Sequence, residues 1–334
     1  MTRFLIWRLI TMIPVLFGLS LILFTFIHIL PGDPAVAILG EHARPDLIRH
    51  LRQNLGLDQP LYIQYISYLG QLLHGDLGSS IIDGRPVLTE FLSRLPATVE
   101  LSVFALAFAS GVGIWLGRLA ARHPQSWIDG VVTGGSVVGV SIPIFVSGLT
   151  LQFIFGIVLG VLPVSGRIDP RLGIEPHTNF MLVDTLLAGR PDAFVDALKH
   201  LVLPAVTLGS IPVAIVSRIT RASVIEVLNE DYVRTARAKG LSDRRIDSRH
   251  VMRNAWLPVS TVLGIQVGYM LAGATITETV FAWPGVGRWV VDAITGRDYF
   301  VVQSSILLFA LIFLAVNLAV DLMYAVLNPR IRYG

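Results

Sequence analysis

The chain has 334 residues, of which 53% are hydrophobic and only 15% charged, with a mean hydropathy of +0.67; a soluble domain carries about a quarter charged residues, so this is the composition of a membrane protein. The 30 Gly and 18 Pro lie in and around long apolar runs, which excludes collagen-like and disordered chains, and 0 Cys excludes disulfide frameworks, iron–sulfur clusters and thiol nucleophiles. The net charge of +3 is assigned to loops held against anionic lipid rather than to nucleic-acid binding.

A membrane span takes about 20 mostly apolar residues, and six such runs follow one another. The first, 9–30, is preceded by Arg3 and Arg8 and is too long for a cleavable signal peptide. The outer segment after it, 31–97, predicts an amphipathic helix over 46–54 and another over 61–73. Tyr62, Tyr65 and Tyr68 recur along the second, an aromatic stripe expected at the lipid headgroup level, with a docking surface as the alternative. Residues 85–94 are expected to form an elbow along the membrane face, leading through Pro96 into the second span, 98–121.

The third run, 131–162, contains Pro143 and is read as one kinked span rather than two short passes. The fourth, fifth and sixth cover 201–220, 257–279 and 302–327. With the N terminus inside, the inner segments carry 15 of the 26 Lys and Arg residues, which places both termini in the cytoplasm.

Between spans four and five lies a polar insertion of helical pattern, 221–258. Its first helix sets Ile225, Leu228, Tyr232 and Ala236 on one face, with Glu230 and Arg234 spaced as an i,i+4 pair. Gly240 is placed to end it in a left-handed cap, and Ser242 to start a second helix with Asp243 in its first turn. Arg245, Arg249 and Arg253 then form a basic stripe. Spacing alone leaves two readings open: a small-residue corner that docks into a cleft of another protein, or a solvated loop with a lipid-facing basic side.

The chain contains no phosphate-binding loop, since neither Lys199 nor Lys239 follows the required glycines. His28, His200 and His250 read as interfacial or structural. Glu278 and Asp321 are the ionisable groups nearest to a span interior; both are expected to pair with an arginine such as Arg288 or Arg330. Pro143, Gly264 and Gly273 are kinked or small positions at which spans can move against one another.

The stretch from Asp231 to Ser242, DYVRTARAKGLS, followed by HVMRNA at 250–255, resembles the cytoplasmic coupling loop of ABC-importer permeases of the dipeptide, oligopeptide and nickel branch. Pro31-Gly32-Asp33-Pro34, the segment 55–60, Gly75-Asp76-Leu77-Gly78, Pro163-Val164-Ser165-Gly166-Arg167, the segment 278–288 and the segment 328–332 resemble that branch in the same order, most closely the first permease subunit of dipeptide importers. Arg234-Thr235-Ala236 stands where many importers carry Glu-Ala-Ala, which argues against a sugar or amino-acid permease, and Phe300 stands where Pro is expected.

The resemblance implies an all-α polytopic fold, the type I importer permease with six transmembrane helices and a cytoplasmic coupling helix. Residues 1–95 would hold the first span and a large extracytoplasmic loop, 96–327 the permease core with its coupling loop at 221–255, and 328–334 a cytoplasmic tail. Implied partners are a second homologous permease, two cytoplasmic ATPases, an extracytoplasmic peptide-binding protein and the bilayer of the bacterial inner membrane. No cofactor is implied in this chain, because ATP and Mg2+ belong to the ATPases. Glu230, Asp231, Ala236, Ala238, Gly240, Leu241 and Ser242 are implied as the ATPase-docking residues, with Pro143, Gly264, Gly273, Glu278 and Asp321 as gating or structural ones. The expected activity is import of dipeptides or short oligopeptides; nickel or glutathione import by the same architecture, and a stand-alone proton-coupled carrier, are the alternatives.

Overall fold

The computed structural model describes residues 2–29, 36, 44–54 and 56–327; the motifs at 31–34 and 328–332, Leu55 and the tail at 328–334 lie outside the described residues. In chain order the helices are α1 (Thr2–Ile29), α2 (Pro45–Asn54), α3 (Leu61–Leu73), α4 (Val87–Arg122), α5 (Trp127–Ser141), α6 (Ile144–Leu151), α7 (Met181–Leu187), α8 (Pro191–Leu228), α9 (Asp231–Ala238), α10 (Met252–Val280), α11 (Val286–Thr295) and α12 (Tyr299–Leu327). Four helices among the described residues are long and apolar enough to cross a membrane, and six crossings result if each of two bent helix pairs counts as one. Residues 1–95 with 288–334 form one compact unit, and residues 96–287 a second.

In the first unit, α1 and α12 are apolar on every side, and residues such as Ile13, Ile22 and Leu311 remain exposed, as helices solvated by lipid require. Near their other ends the two helices are joined by Arg8 and Asp321, 2.5 Å apart. The tyrosine stripe of α3 does not all lie free at a surface. Tyr65 and Tyr68 turn toward α1, where Tyr65 meets the Ser20 hydroxyl at 2.9 Å and Tyr68 stacks on Phe24; Tyr62 alone of the three is largely exposed. A hydroxyl on an apolar helix needs a partner, and a neighbouring phenol supplies one.

The loop ahead of α4 docks on the start of α12. The buried Asp298 carboxylate accepts from Ser80 Oγ at 2.6 Å and from the Ile81 N–H at 3.0 Å, and Ser304 Oγ donates to the Leu77 carbonyl at 2.7 Å. Phe300 lies over Gly78, whose φ is +78° and where a Cβ would sit 3.2 Å from the ring. The aromatic residue found in place of proline thus covers the glycine motif.

The expected elbow at 85–94 is not a separate element, because α4 runs unbroken for 36 residues through Pro96. Proline removes one intrahelical bond and strains its neighbours, but the first turns have packing of their own: Val87 and Phe91 are buried, with Phe91 edge-on to Phe309.

In the second unit, Ala97, Leu101, Ala105 and Ala109 recur every fourth residue of α4 and are buried with Leu201, Ala205 and Leu208 of α8 and Met270 and Ala274 of α10. In lipid, helices gain little from apolar burial against each other, so small residues that admit close backbone approach decide the packing. Gly117 extends the stripe: a Cβ there would stand 2.4 Å from the Ser217 carbonyl oxygen.

The third apolar run is broken at Pro143 more sharply than a kink. The axis turns by 104° between α5 and α6 with its π-helical continuation Gln152–Val158, far beyond an ordinary proline kink. Ile142 takes an extended conformation (φ −82°, ψ 123°) and Pro143 opens α6, as the steric demand of proline on its preceding residue dictates. α8, at 38 residues, outreaches the expected 201–220 and keeps Pro204 and Pro212 inside the helix.

Candidate functional site

Two sequence-marked regions, both in the second unit, form the candidate machinery. One is the helical corner after α8. The helix stops at Leu228, Asn229 caps it, and Glu230 takes an extended conformation (φ −70°, ψ 144°) to open α9. The first helix of the corner is therefore not continuous from Ile225 to Ala236. Glu230 stands outside α9, so the i,i+4 spacing does not apply to it, and Arg234 meets Asp231 at 3.5 Å instead.

Val233 and Ala236 of α9 are buried with Ala121, Val224, Ile246 and Val251, and Leu241 packs on the same cluster. Ala236 and Leu241, expected among the docking residues, face the chain's own core. Glu230, Asp231, Ala238, Gly240 and Ser242 are exposed and make up the outer surface of the corner. Gly240 adopts the expected left-handed conformation, φ +75°, and its N–H closes the helix on the Arg237 carbonyl at 2.9 Å. Ser242 has the extended backbone of an N-cap ahead of the turn Asp243–Arg245, without a side-chain cap bond.

A π-helical segment, Ile246–Val251, then leads into α10. Arg245, Arg249 and Arg253 straddle it and stay exposed, but its wider turn breaks the even four-residue stripe. The residue that sequence reasoning passed over is Asp247 in this segment. Its carboxylate accepts from Arg118 and, at 2.5 Å, from Arg122, in the last two turns of α4. The corner is thus fixed by an apolar cluster on one side and a two-arginine clamp on the other. An aspartate set among Arg244, Arg245 and Arg249 was the available signal.

The other region joins two motifs, 163–167 and 278–288, to α4 at the far end of α10. Glu278 is fully buried; its Oε1 accepts from Thr98 Oγ1 at 2.6 Å, and Thr98 Oγ1 in turn accepts from the Val286 N–H at 2.9 Å. A Cβ at Gly285 would lie 2.1 Å from the Glu278 carboxylate, so the loop closes on the acid only because residue 285 has no side chain. Trp283 donates through Nε1 to the Ala97 carbonyl at 2.9 Å. The 163–167 motif docks here too: the Gly166 N–H donates to the Phe281 carbonyl at 3.0 Å. Arg167 meets Glu100 at 2.5 Å in a buried pair and lies over the Trp283 ring at 5.4 Å. Glu100 also accepts from the Leu182 N–H at 2.9 Å.

The remaining marked positions fall apart from these. Pro143 sits at the α5–α6 break, Gly264 is buried within α10, and Gly273 lies in the stretch between Met270 and Ala274, where α10 bends by 54°. Asp321 belongs to the first unit and is answered by Arg8; the expected Arg288 lies 3.9 Å from Asp292 instead, and Arg330 is outside the described residues. No group of three or more potential metal ligands occurs among the described residues. What this geometry shows is a set of helices held together by packing, buried hydrogen bonds and ion pairs.

Residues 113–333 match the model of the binding-protein-dependent transport system inner membrane component family, and residues 1–102 its N-terminal membrane-component model. The chain is 49% identical to the di/tripeptide transport system permease protein DppB of Pseudomonas aeruginosa, over 100% of this chain and 99% of that protein. It is 47% identical to the dipeptide transport system permease protein DppB of Escherichia coli K12, with the same coverage. Among solved structures, the inward-facing MetNI methionine ABC transporter matches with a TM-score of 0.50 at 14% identity, covering 72% of this chain and 96% of that one. The chain belongs to the family of inner membrane components of binding-protein-dependent transport systems.

Proposed function

We propose that this chain is one of two homologous permease subunits of an ATP-driven importer of dipeptides and short oligopeptides. The observation that carries the reading is 49% identity along the whole chain to a di/tripeptide permease. In this reading both termini lie in the cytoplasm, two ATPases below the permeases bind ATP and Mg2+, and a peptide-binding protein delivers substrate from outside. ATP draws the ATPases together, their clefts carry the corner at 229–254, and the spans pass from inward-open to outward-open. Glu230, Asp231, Ala238, Gly240 and Ser242 meet the ATPase, while Ala236, Leu241 and Asp247 hold the corner to the bundle behind it. Support comes from the exposure of the first set and the burial or clamping of the second.

The test is uptake of labelled dipeptide into proteoliposomes holding the full complex, together with thiol labelling of a Ser242→Cys variant. ATP-dependent accumulation, and labelling from the cytoplasmic side that falls when the ATPases are bound, are the expected results. Labelling from the outside would overturn the topology.

A further inference from the structure

The approach to the fifth apolar run, 249–259, has two unlike faces. Val251, Ala255 and Val259 are buried, one every fourth residue, the first two in the cluster that holds the corner. Helical spacing sets Arg249, Arg253, Trp256 and Leu257 on the other side, and all four are exposed. The indole is 43% exposed and the leucine 44%. α10 belongs to one of the two bent helix pairs that can cross a membrane, so this face turns from basic to apolar within one turn, where the chain passes from water into lipid.

The cations of this face are not spent inside the chain. Asp247, the carboxylate nearest to them in sequence, is taken up by Arg118 and Arg122 of α4. Arg234, on α9, meets Asp231, whereas among the described residues Arg245, Arg249 and Arg253 form no ion pair. Tryptophan seats at the headgroup level of a bilayer, and arginines just outside it meet anionic headgroups. An acidic protein could answer the arginines, but it would leave the indole and Leu257, on the lipid side of them, without a use.

We propose that this face is a binding site for anionic phospholipid, with headgroup phosphates on Arg249 and Arg253 and acyl chains running past Trp256 and Leu257. A guanidinium presents paired N–H donors that match the paired oxygens of a phosphodiester. Arg245, further from the span, adds attraction at longer range. The two readings that spacing left open for 221–258, a docking corner and a lipid-facing basic side, then belong to different residues. The site needs only that α10 crosses a membrane and does not rest on what the chain transports.

The experiment places the complete importer in phosphatidylcholine nanodiscs with a trace of phosphatidylglycerol carrying a diazirine near the top of one acyl chain. Illumination should label residues 249–261. Excess unlabelled phosphatidylglycerol should remove the labelling, and excess phosphatidylcholine or inorganic phosphate should not. Arg249→Gln combined with Arg253→Gln should raise the phosphatidylglycerol needed for half-maximal labelling about 25-fold, at about fivefold per arginine. The corresponding Lys pair keeps the charge and should stay within about threefold of wild type. Raised ionic strength gives a second measurement that needs no variant: it should erase the preference for phosphatidylglycerol in the wild type by screening. Equal labelling by phosphatidylcholine and phosphatidylglycerol probes, competition by inorganic phosphate, or a Gln pair that behaves as wild type would overturn the site. Absence of labelling in the complete importer would give the face to the ATPases and overturn it equally.

Discussion

Thr98 Oγ1 donates to the Glu278 carboxylate at 2.6 Å and accepts the Val286 N–H at 2.9 Å, so one hydroxyl from α4 ties the end of α10 to the start of α11. All of its hydrogen-bonding partners are buried with it. Thr98→Val keeps the shape but withdraws a donor from the acid and an acceptor from the amide. Each buried polar group left unmet costs about 1–3 kcal/mol, so the unfolding midpoint of the purified complex should fall clearly, while Thr98→Ser stays close to wild type. Equal midpoints for Val and Ser would remove the lock.

The same region gives a steric prediction. With a Cβ at Gly285 only 2.1 Å from the Glu278 carboxylate, Gly285→Ala has to push the loop or the acid aside, and both are enclosed. Insertion into the membrane should survive, since the spans are unaltered, but stable complex should be recovered in much lower yield. Pairing the change with Glu278→Ala, which vacates the space, should restore part of it.

Gly240 separates backbone strain from crowding. Its φ is +75°, and nothing lies within 4 Å of where a Cβ would stand, so any penalty comes from conformation. A β-branched residue disfavours this region by about 1–2 kcal/mol, whereas Asn tolerates it. Gly240→Val should therefore weaken co-purification of the ATPases and reduce uptake, and Gly240→Asn should do neither. If Val behaved like Asn, the shape of the corner would be irrelevant to coupling.

Asp247 is the clamp for Arg118 and Arg122. The arginines are part-exposed, so solvent screens the pair and the loss in Asp247→Asn is modest, about 1 kcal/mol. A loss of that size appears locally: amides at 243–251 should exchange several-fold faster, with the rest of α10 unchanged. In transport, the variant should hydrolyse more ATP per peptide imported, because a loosened corner transmits less of the ATPase movement.

What the sequence made legible was whatever depends on neighbours along the chain. The apolar repeat of 61–73 gave α3 its bounds, and Gly240 announced its own left-handed turn. Contacts between distant segments were not readable: Glu278 finds Thr98 180 residues away, and Asp247 finds Arg118 across 129. Periodicity marks a face without saying what covers it, which is why Tyr65 and Tyr68, suited to a headgroup layer, pack on α1 instead. Ala236 shows the same ambiguity, since a small side chain serves close approach equally well to a partner or to the chain's own core. Proline was equivocal for a physical reason. Pro96 costs one hydrogen bond in a helix held by other packing, while Pro143 follows a residue already driven into extended geometry.

Arg8 and Asp321 decide whether an ionisable group in the spans does chemistry or holds structure. They meet at 2.5 Å, with side chains 47% and 27% exposed, and each lies within about two turns of its helix end. An unpaired charge facing lipid costs up to about 3 kcal/mol at the bilayer centre and less toward its face. Arg8→Gln or Asp321→Asn alone should therefore lower the amount of inserted, assembled permease. The double variant replaces an ion pair by a neutral hydrogen-bonding pair and should recover most of that loss, giving a non-additive cycle. Uptake by the recovered double variant should still depend on ATP and resist a protonophore, because no proton has to pass through Asp321. Accumulation in the wild type that collapses with the proton gradient, and disappears in Asp321→Asn despite normal assembly, would make the aspartate a proton relay and overturn the ATP-driven reading.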